Sequence, residues 1–249
     1  MSRYALLATL SLGALVAPSW GQEQPAELPA AEQLFAKHVQ AVGGEEAMKA
    51  EKNRVARGKI AVMGRSGDGI LTTLRIAPNR LYNQVEFPGV ATIETWCDGE
   101  SAWIRDSNGG TRRLTGEPLI EVRRSADFLG EANFRNRYSS LKTQAKTTFA
   151  DRPAFSVKAT TTEGNERTLF FDTERGFLIG YKMPGPTGDP TNERTTIFSD
   201  YKPFGGVSHP TKTIQKDSRS ETTITFTEIE ANVVTMQNID PPDEVRKAK

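Results

Sequence analysis

The sequence is poor in the side chains that build most metal and nucleophile chemistry: it has one cysteine, Cys97, and two histidines, His38 and His209. One cysteine cannot close an intrachain disulfide, so the fold has to be held by its core. With two histidines and no HExxH or CxxC spacing, a zinc site would need distant carboxylates, and no metal centre is expected. Neither sign of charge is in excess, since 32 Lys and Arg face 31 Asp and Glu. That balance argues against nucleic-acid binding through a strong positive field. After the first residues long apolar runs are missing too, so no later segment is expected to span a bilayer or form a stable membrane anchor.

The N-terminus carries the one apolar run. Arg3 is followed by YALLATLSLGALV and then APSWG. The run ends at Pro18 and falls short of the roughly 20 residues a membrane span needs. Ser19 and Gly21 are small enough for the −3 and −1 positions of a signal-peptidase site. Residues 1–21 therefore read as a cleaved signal peptide, and the mature chain as an exported one. No cysteine follows the run, so the new N-terminus cannot be lipidated. Cleavage removes Arg3 and no acid, which leaves the mature chain formally neutral. Residues 22–31, QEQPAELPAA, read as a polar, proline-broken leader, and 32–249 as a single domain without repeat or linker.

Past the leader, AEQLFAKHVQAVGG places Leu34, Phe35, Val39 and Val42 on one helical face, with Gly43-Gly44 as the stop. From Asn53 the pattern changes to about a dozen short β-rich runs, VARGKIAVM to ETTITFTEIE, separated by turns such as RSGDG, APNR, ADRP and DTERG. Short connections imply antiparallel neighbours. Residues 117–140 interrupt the alternation and suggest two short helices broken near Gly130. The expected fold is mainly β (α+β): one curved antiparallel sheet, with the N-terminal helix and the central helical insertion covering its concave face.

Catalytic motifs are tested and fail. In ETWCDGESAWIRD a two-residue Asp98-Gly99 turn would pair Trp96 with Ser101 and Glu94 with Trp103, putting both tryptophans on one face, diagonally adjacent. Cys97 would lie on the other face, and Asp98 and Glu100 beside it disfavour a thiolate, so it reads as a small buried hydrophobe. GESAW lacks the second glycine of a nucleophile elbow. Ser208 and His209, adjacent on a strand, point to opposite faces. GRSGDG has no phosphate-loop ending and reads as a turn. The arginines from Arg105 to Arg137 are interspersed with acids and read as a solvated helix face in preference to an anion or lipid-headgroup patch. No catalytic residue, cofactor site or metal ligand is assigned, and the chain is expected not to be an enzyme.

Taken in order, AVGGEEAMKA, RVARGKIAV, WCDGESAWI, LFFDTERGFLIGYKM and SDYKPFGGVSHPTKT resemble the LolA-like superfamily of periplasmic lipoprotein carriers and sorting proteins, with its RseB-like sensor relatives. The resemblance implies an open half-barrel of about eleven antiparallel strands around apolar space, closed by helices. It further implies a periplasmic binding protein for a lipid or the acyl chains of a lipoprotein, without catalysis or cofactor; the alternative it carries is an envelope sensor or scaffold that binds a protein partner. Trp96, Trp103, Leu119, Phe128, Leu129, Phe134, Tyr138 and Phe170 are the candidates for cavity wall or lid. The sequence departs from the carriers in lacking a stretch that matches their lid-latching arginine, for which Arg123 or Arg124 is the candidate.

Overall fold

The computed structural model describes residues 27–185, 192–233 and 239–248. The signal peptide assigned to 1–21 and the leader up to residue 26 lie outside the described residues. The chain opens with α1 (Ala31–Ala41) and α2 (Glu45–Ala50). Ala31, Leu34, Phe35 and His38, spaced three and four apart, are the residues α1 buries. Ala31 belongs to this helix and not to the leader.

Six strands follow: β1 (Asn53–Val62), β2 (Gly69–Ile76), β3 (Arg80–Phe87), β4 (Ala91–Cys97), β5 (Ala102–Asp106) and β6 (Gly110–Arg113). A helical segment then holds α3 (Gly116–Ala126), a 3-10 turn (Gly130–Asn133) and α4 (Phe134–Arg137). Tyr138, assigned from sequence to that segment, instead opens β7 (Tyr138–Phe149). After it come β8 (Arg152–Thr161), β9 (Glu166–Asp172), β10 (Leu178–Met183), β11 (Arg194–Phe204), β12 (Val207–Lys216), β13 (Glu221–Ala231) and the terminal α5 (Asp243–Arg246).

All 13 strands form one sheet in the order β6-β5-β4-β3-β2-β1-β13-β12-β11-β10-β9-β8-β7. Every neighbour is antiparallel, and β13 returns to pair with β1, joining the two halves. The sheet is larger than the roughly eleven strands expected. The strand that sequence patterning missed is β6, GTRR, too short and polar to show an apolar alternation. The sheet is open, with β6 and β7 at its edges, and the helical segment carries the chain from one edge to the other.

The side-chain contacts of α3 require the sheet to curl. Its Leu119 and Val122 pack against the cluster of Leu81, Cys97 and Ala102 on β3 to β5, while its Glu121 pairs with Arg167 of β9. Strands β4 and β9 are eight spacings apart in the order, which would be about 38 Å across a flat sheet at ~4.8 Å per strand. A helix only about 10–12 Å wide touches both. The concave side therefore wraps around α3, and α1 covers the adjoining part, where Leu34 and Phe35 join Val157, Leu169 and Phe171.

Close packing on the convex side is set by glycine at one position. Gly180 has φ 148°, and a Cβ there would lie 2.1 Å from the Thr196 carbonyl oxygen and 2.6 Å from the Phe149 ring. Gly180→Ala is expected to lower unfolding free energy by more than ~1 kcal/mol in a urea titration, since neither the backbone angle nor the space accepts a methyl group. A change within the error of the titration would show that β10 and β11 separate freely there. No helix among the described residues is long and apolar enough to cross a membrane.

Candidate functional site

The concave side is not filled by the helices over β1, β2, β12 and β13. A polar hollow of about 340 Å³ lies between α3 and β10 to β13, and two adjoining hollows, of about 270 Å³ and about 150 Å³, lie nearer β1 and β2. Arg54, Arg75, His209 and Pro210 line both. The smaller is otherwise walled by Ala56, Thr73, Phe226 and Ile229. The larger has Val42, Met48, Leu178, Phe198, Tyr201 and Val207 on one side and Phe128, Leu129, Gly130 and Glu131 as its cover.

Strand register explains why charged groups stand on this apolar floor. Arg54 and Arg75 are direct cross-strand partners on β1 and β2, so both side chains leave the sheet on the same face. Arg54 is compensated: its Nε lies 3.3 Å from Glu51 Oε1, and its guanidinium lies against the His209 ring. Glu51 Oε2 is 3.2 Å from His209 Nε2. Burial alone would raise the Glu51 carboxyl, but the His209 hydrogen bond and the Arg54 charge outweigh it and hold it below the usual range. Burial pushes His209 the other way, toward its neutral form.

Arg75 has different partners. Its Nη2 donates to two main-chain carbonyls of the helical segment, those of Ser125 and Asp127, the latter at 2.8 Å. Its Nε is buried and has no hydrogen-bond partner among the described residues. Burial, reinforced by the charges of Arg54 and Arg137, pushes its pKa down to about 9 against the opposing charges of Asp127 and Glu51. The Phe128 ring is placed over this pair, 5.3 Å from the Arg54 guanidinium carbon and 5.9 Å from that of Arg75. The Phe128 N–H donates to the Pro78 carbonyl at 2.9 Å. Arg75 thus ties the Ser125–Asp127 stretch of the cover to the sheet, as Arg167 and Arg194 tie α3 to it through Glu121 and Glu117; the sequence candidates for such a fastening are Arg123 and Arg124. Arg123 is exposed, and Arg124 Nη1 donates to the Arg137 carbonyl at 3.3 Å and lies 3.4 Å from Glu163 Oε2 in the turn between β8 and β9.

A second fastening joins the cover to the start of β7. Arg137 is 3.0 Å from Asp127 Oδ2 and 3.2 Å from Glu131 Oε1, and the Tyr138 hydroxyl donates to Glu131 at 3.0 Å. Burial opposes the Arg137 charge, but Glu131, Tyr138 and Asp127 outweigh it and raise its pKa.

The residues selected from sequence divide between the two faces. Phe128 and Leu129 line the larger hollow. Leu119 packs with the inner cluster of β3 to β5, and Phe134 and Tyr138 join Phe35 in the core beneath α1. Trp96 and Trp103 face away from α3 and pack with Tyr82 and Val245 of α5. Phe170 is also on the outer face, stacked on Phe149 at 4.0 Å. Parity decides this: Cys97 and Ala102 contact the α3 cluster, so Trp96 and Trp103, one residue along, cannot.

The turn itself is longer than expected. Asp98 Oδ1 accepts the N–H groups of Glu100 and Ser101, at 3.0 and 2.8 Å, which favours a four-residue loop and pairs Trp96 directly with Trp103. Cys97 is buried, and burial raises its thiol pKa. Sequence reading missed Glu51, Arg54 and Arg75 as a group. The available signal was strand parity, which puts one arginine from each of β1 and β2 on the apolar face.

No family model matches the sequence, and no curated protein is significantly similar to it. Solved structures are similar in shape. A DUF1329 family protein from Desulfovibrio piger superposes with a TM-score of 0.60 at 10% identity, over 86% of this chain and 100% of that one. A LolA superfamily protein from Nitrosomonas europaea gives 0.57 at 12% identity, over 86% and 99%. A putative outer membrane lipoprotein-sorting protein domain from Vibrio parahaemolyticus gives 0.54 at 10% identity, over 82% and 96%. At these identities the likeness is one of fold: this chain folds as LolA-superfamily proteins do.

Proposed function

We propose that this protein is a non-catalytic binding protein of the cell envelope that holds a lipid, or the acyl chains of a lipoprotein, in the hollows beneath Phe128 and Leu129. The carrying observation is a mostly apolar chamber whose cover, Phe128 to Glu131, is tied down by the two Arg75 bonds beside it, the Phe128 N–H bond, the Tyr138 bond to Glu131 and the packing of the Phe128 ring. Each methylene withdrawn from water contributes about 0.8 kcal/mol. Such a chamber can hold an acyl chain without directional bonds, and a cover fastened largely by polar contacts that water can replace can release it. The fold shared with a LolA superfamily protein and a lipoprotein-sorting domain supports the same reading, as does the signal-peptide pattern of residues 1–21.

The test is direct. Protein purified from the envelope and extracted with organic solvent is expected to yield acyl lipids by mass spectrometry. The stripped protein is expected to enhance the fluorescence of the neutral apolar probe N-phenyl-1-naphthylamine. Leu129→Trp, which fills the larger hollow, is expected to abolish that enhancement while leaving the circular dichroism unchanged. Absence of extractable lipid together with absence of probe uptake would overturn the proposal and favour a scaffold that binds a protein partner.

A further inference from the structure

We infer that the ligand of this chamber is an anionic amphiphile, whose carboxylate or phosphate group takes the place of the cover's carbonyls on Arg75 while its apolar tail occupies the hollows. The inference rests on the binding function proposed above and specifies the chemistry of its ligand.

Two arginines directly opposite each other on one face of an antiparallel pair repel. Burying both on an apolar floor adds a desolvation cost. The fold gives only Arg54 a carboxylate in ion-pair contact, Glu51; Arg75 feels Glu51 and Asp127 at longer range, which does not offset its burial. Among the described residues no carboxylate lies in ion-pair contact with Arg75; its acceptors are the Ser125 and Asp127 carbonyls. The nearby acids are committed elsewhere: Asp127 and Glu131 both pair with Arg137, and Glu131 also accepts from Tyr138.

Admitting a ligand means lifting Phe128 and Leu129, and these are contiguous with Asp127 and Glu131. Lifting the cover therefore strips Arg75 of its carbonyl acceptors and carries those two carboxylates away from the chamber. Arg54 and Arg75 are then left against Glu51 alone. A neutral ligand would leave a cation in apolar surroundings without an acceptor, which is the costly case. A carboxylate or phosphate supplies the missing acceptor, and a planar guanidinium takes two of its oxygens at once. Ala56, Phe226, Ile229 and Pro210 beside the arginines, with Leu178, Phe198 and Met48 beyond them, provide the wall for the tail.

The experiment compares two ligands of one chain length, decanoate and 1-decanol, as competitors of N-phenyl-1-naphthylamine on the stripped full-length mature protein. Decanoate is expected to displace the probe at a concentration at least about tenfold lower than decanol. In Arg75→Met that preference is expected to disappear while decanol still competes, and in Arg75→Lys, which keeps the charge without the planar fork, part of it is expected to remain. Equal competition by the two ligands on the wild-type protein, or a preference that survives Arg75→Met, would overturn the inference and leave acyl binding standing. Failure of the wild-type protein to take up the probe or either ligand would instead overturn the binding function on which the inference rests. Displacement by inorganic phosphate alone at the concentration of decanoate would show that no apolar tail is needed, and would overturn the amphiphile.

Discussion

Phe35→Ala is expected to reduce the free energy of unfolding by about 3–5 kcal/mol, the range for deleting a buried aromatic ring. Phe35 has no solvent exposure. Its ring stacks on Phe134 with centroids 4.6 Å apart and meets Phe171 edge-on at 4.9 Å, with Tyr138 at 5.9 Å. These three contacts come from α4, β9 and β7, so one side chain joins the N-terminal helix, the helical segment and the far half of the sheet. Three of its neighbours are rings held by one another, which limits how far Leu34, Leu169 and Leu178 of the same cluster can close the space. For a chain of this size each kcal/mol lowers Tm by about 2–4 °C, so a fall of about 6–20 °C is expected in calorimetry. Met63→Ala, at a side chain 63% exposed, is the control and is expected to stay within about 0.5 kcal/mol of wild type. A Phe35→Ala protein that melts with the control would mean that α1 does not hold the sheet closed.

The difference between what was legible in the sequence and what was not follows from the range over which each signal acts. Strands such as ETTITFTEIE and GILTTLRI alternate within themselves, and their turns carry their own chemistry, so the β-rich body and the interruption after residue 116 could be read locally. The short β6 has no such pattern and forms because β5 presents an edge to it. The site was harder still. Arg54 and Arg75 meet because β1 and β2 pair in one register, and Glu51 and His209 meet because β12 lies two strands from β1. Aromatic weight drew the sequence reading to Trp96, Trp103 and Phe170, yet aromatic weight does not tell one face of a sheet from the other. In the hairpin one shift of loop length, imposed by the Asp98 carboxylate, set the tryptophan pairing.

Acid is expected to destabilise the protein through His38. His38 is buried, and its Nδ1 accepts the Leu178 N–H at 3.0 Å. Burial pushes its pKa from 6.5 down to about 4, against the opposing charge of Glu131. The folded state thus refuses a proton that the unfolded chain takes up at the ordinary histidine value. The unfolded state holds the extra proton between those two pKa values, so stability is intact above about pH 6.5 and falls as pH drops toward 4. From pH 7.5 to 4.5 the loss from this group amounts to about 2–3 kcal/mol. His38→Gln keeps an acceptor for the Leu178 N–H and does not titrate. Chemical denaturation at both pH values is therefore expected to show a steeper decline for wild type than for the variant, although Glu51 and His209 titrate in both. Parallel declines would mean that His38 is charged in the native state. Because His38 lines the same hollow as Phe128 and Leu129, its protonation places a positive charge between α1 and the cover, so the acid-weakened contacts are those that close the chamber.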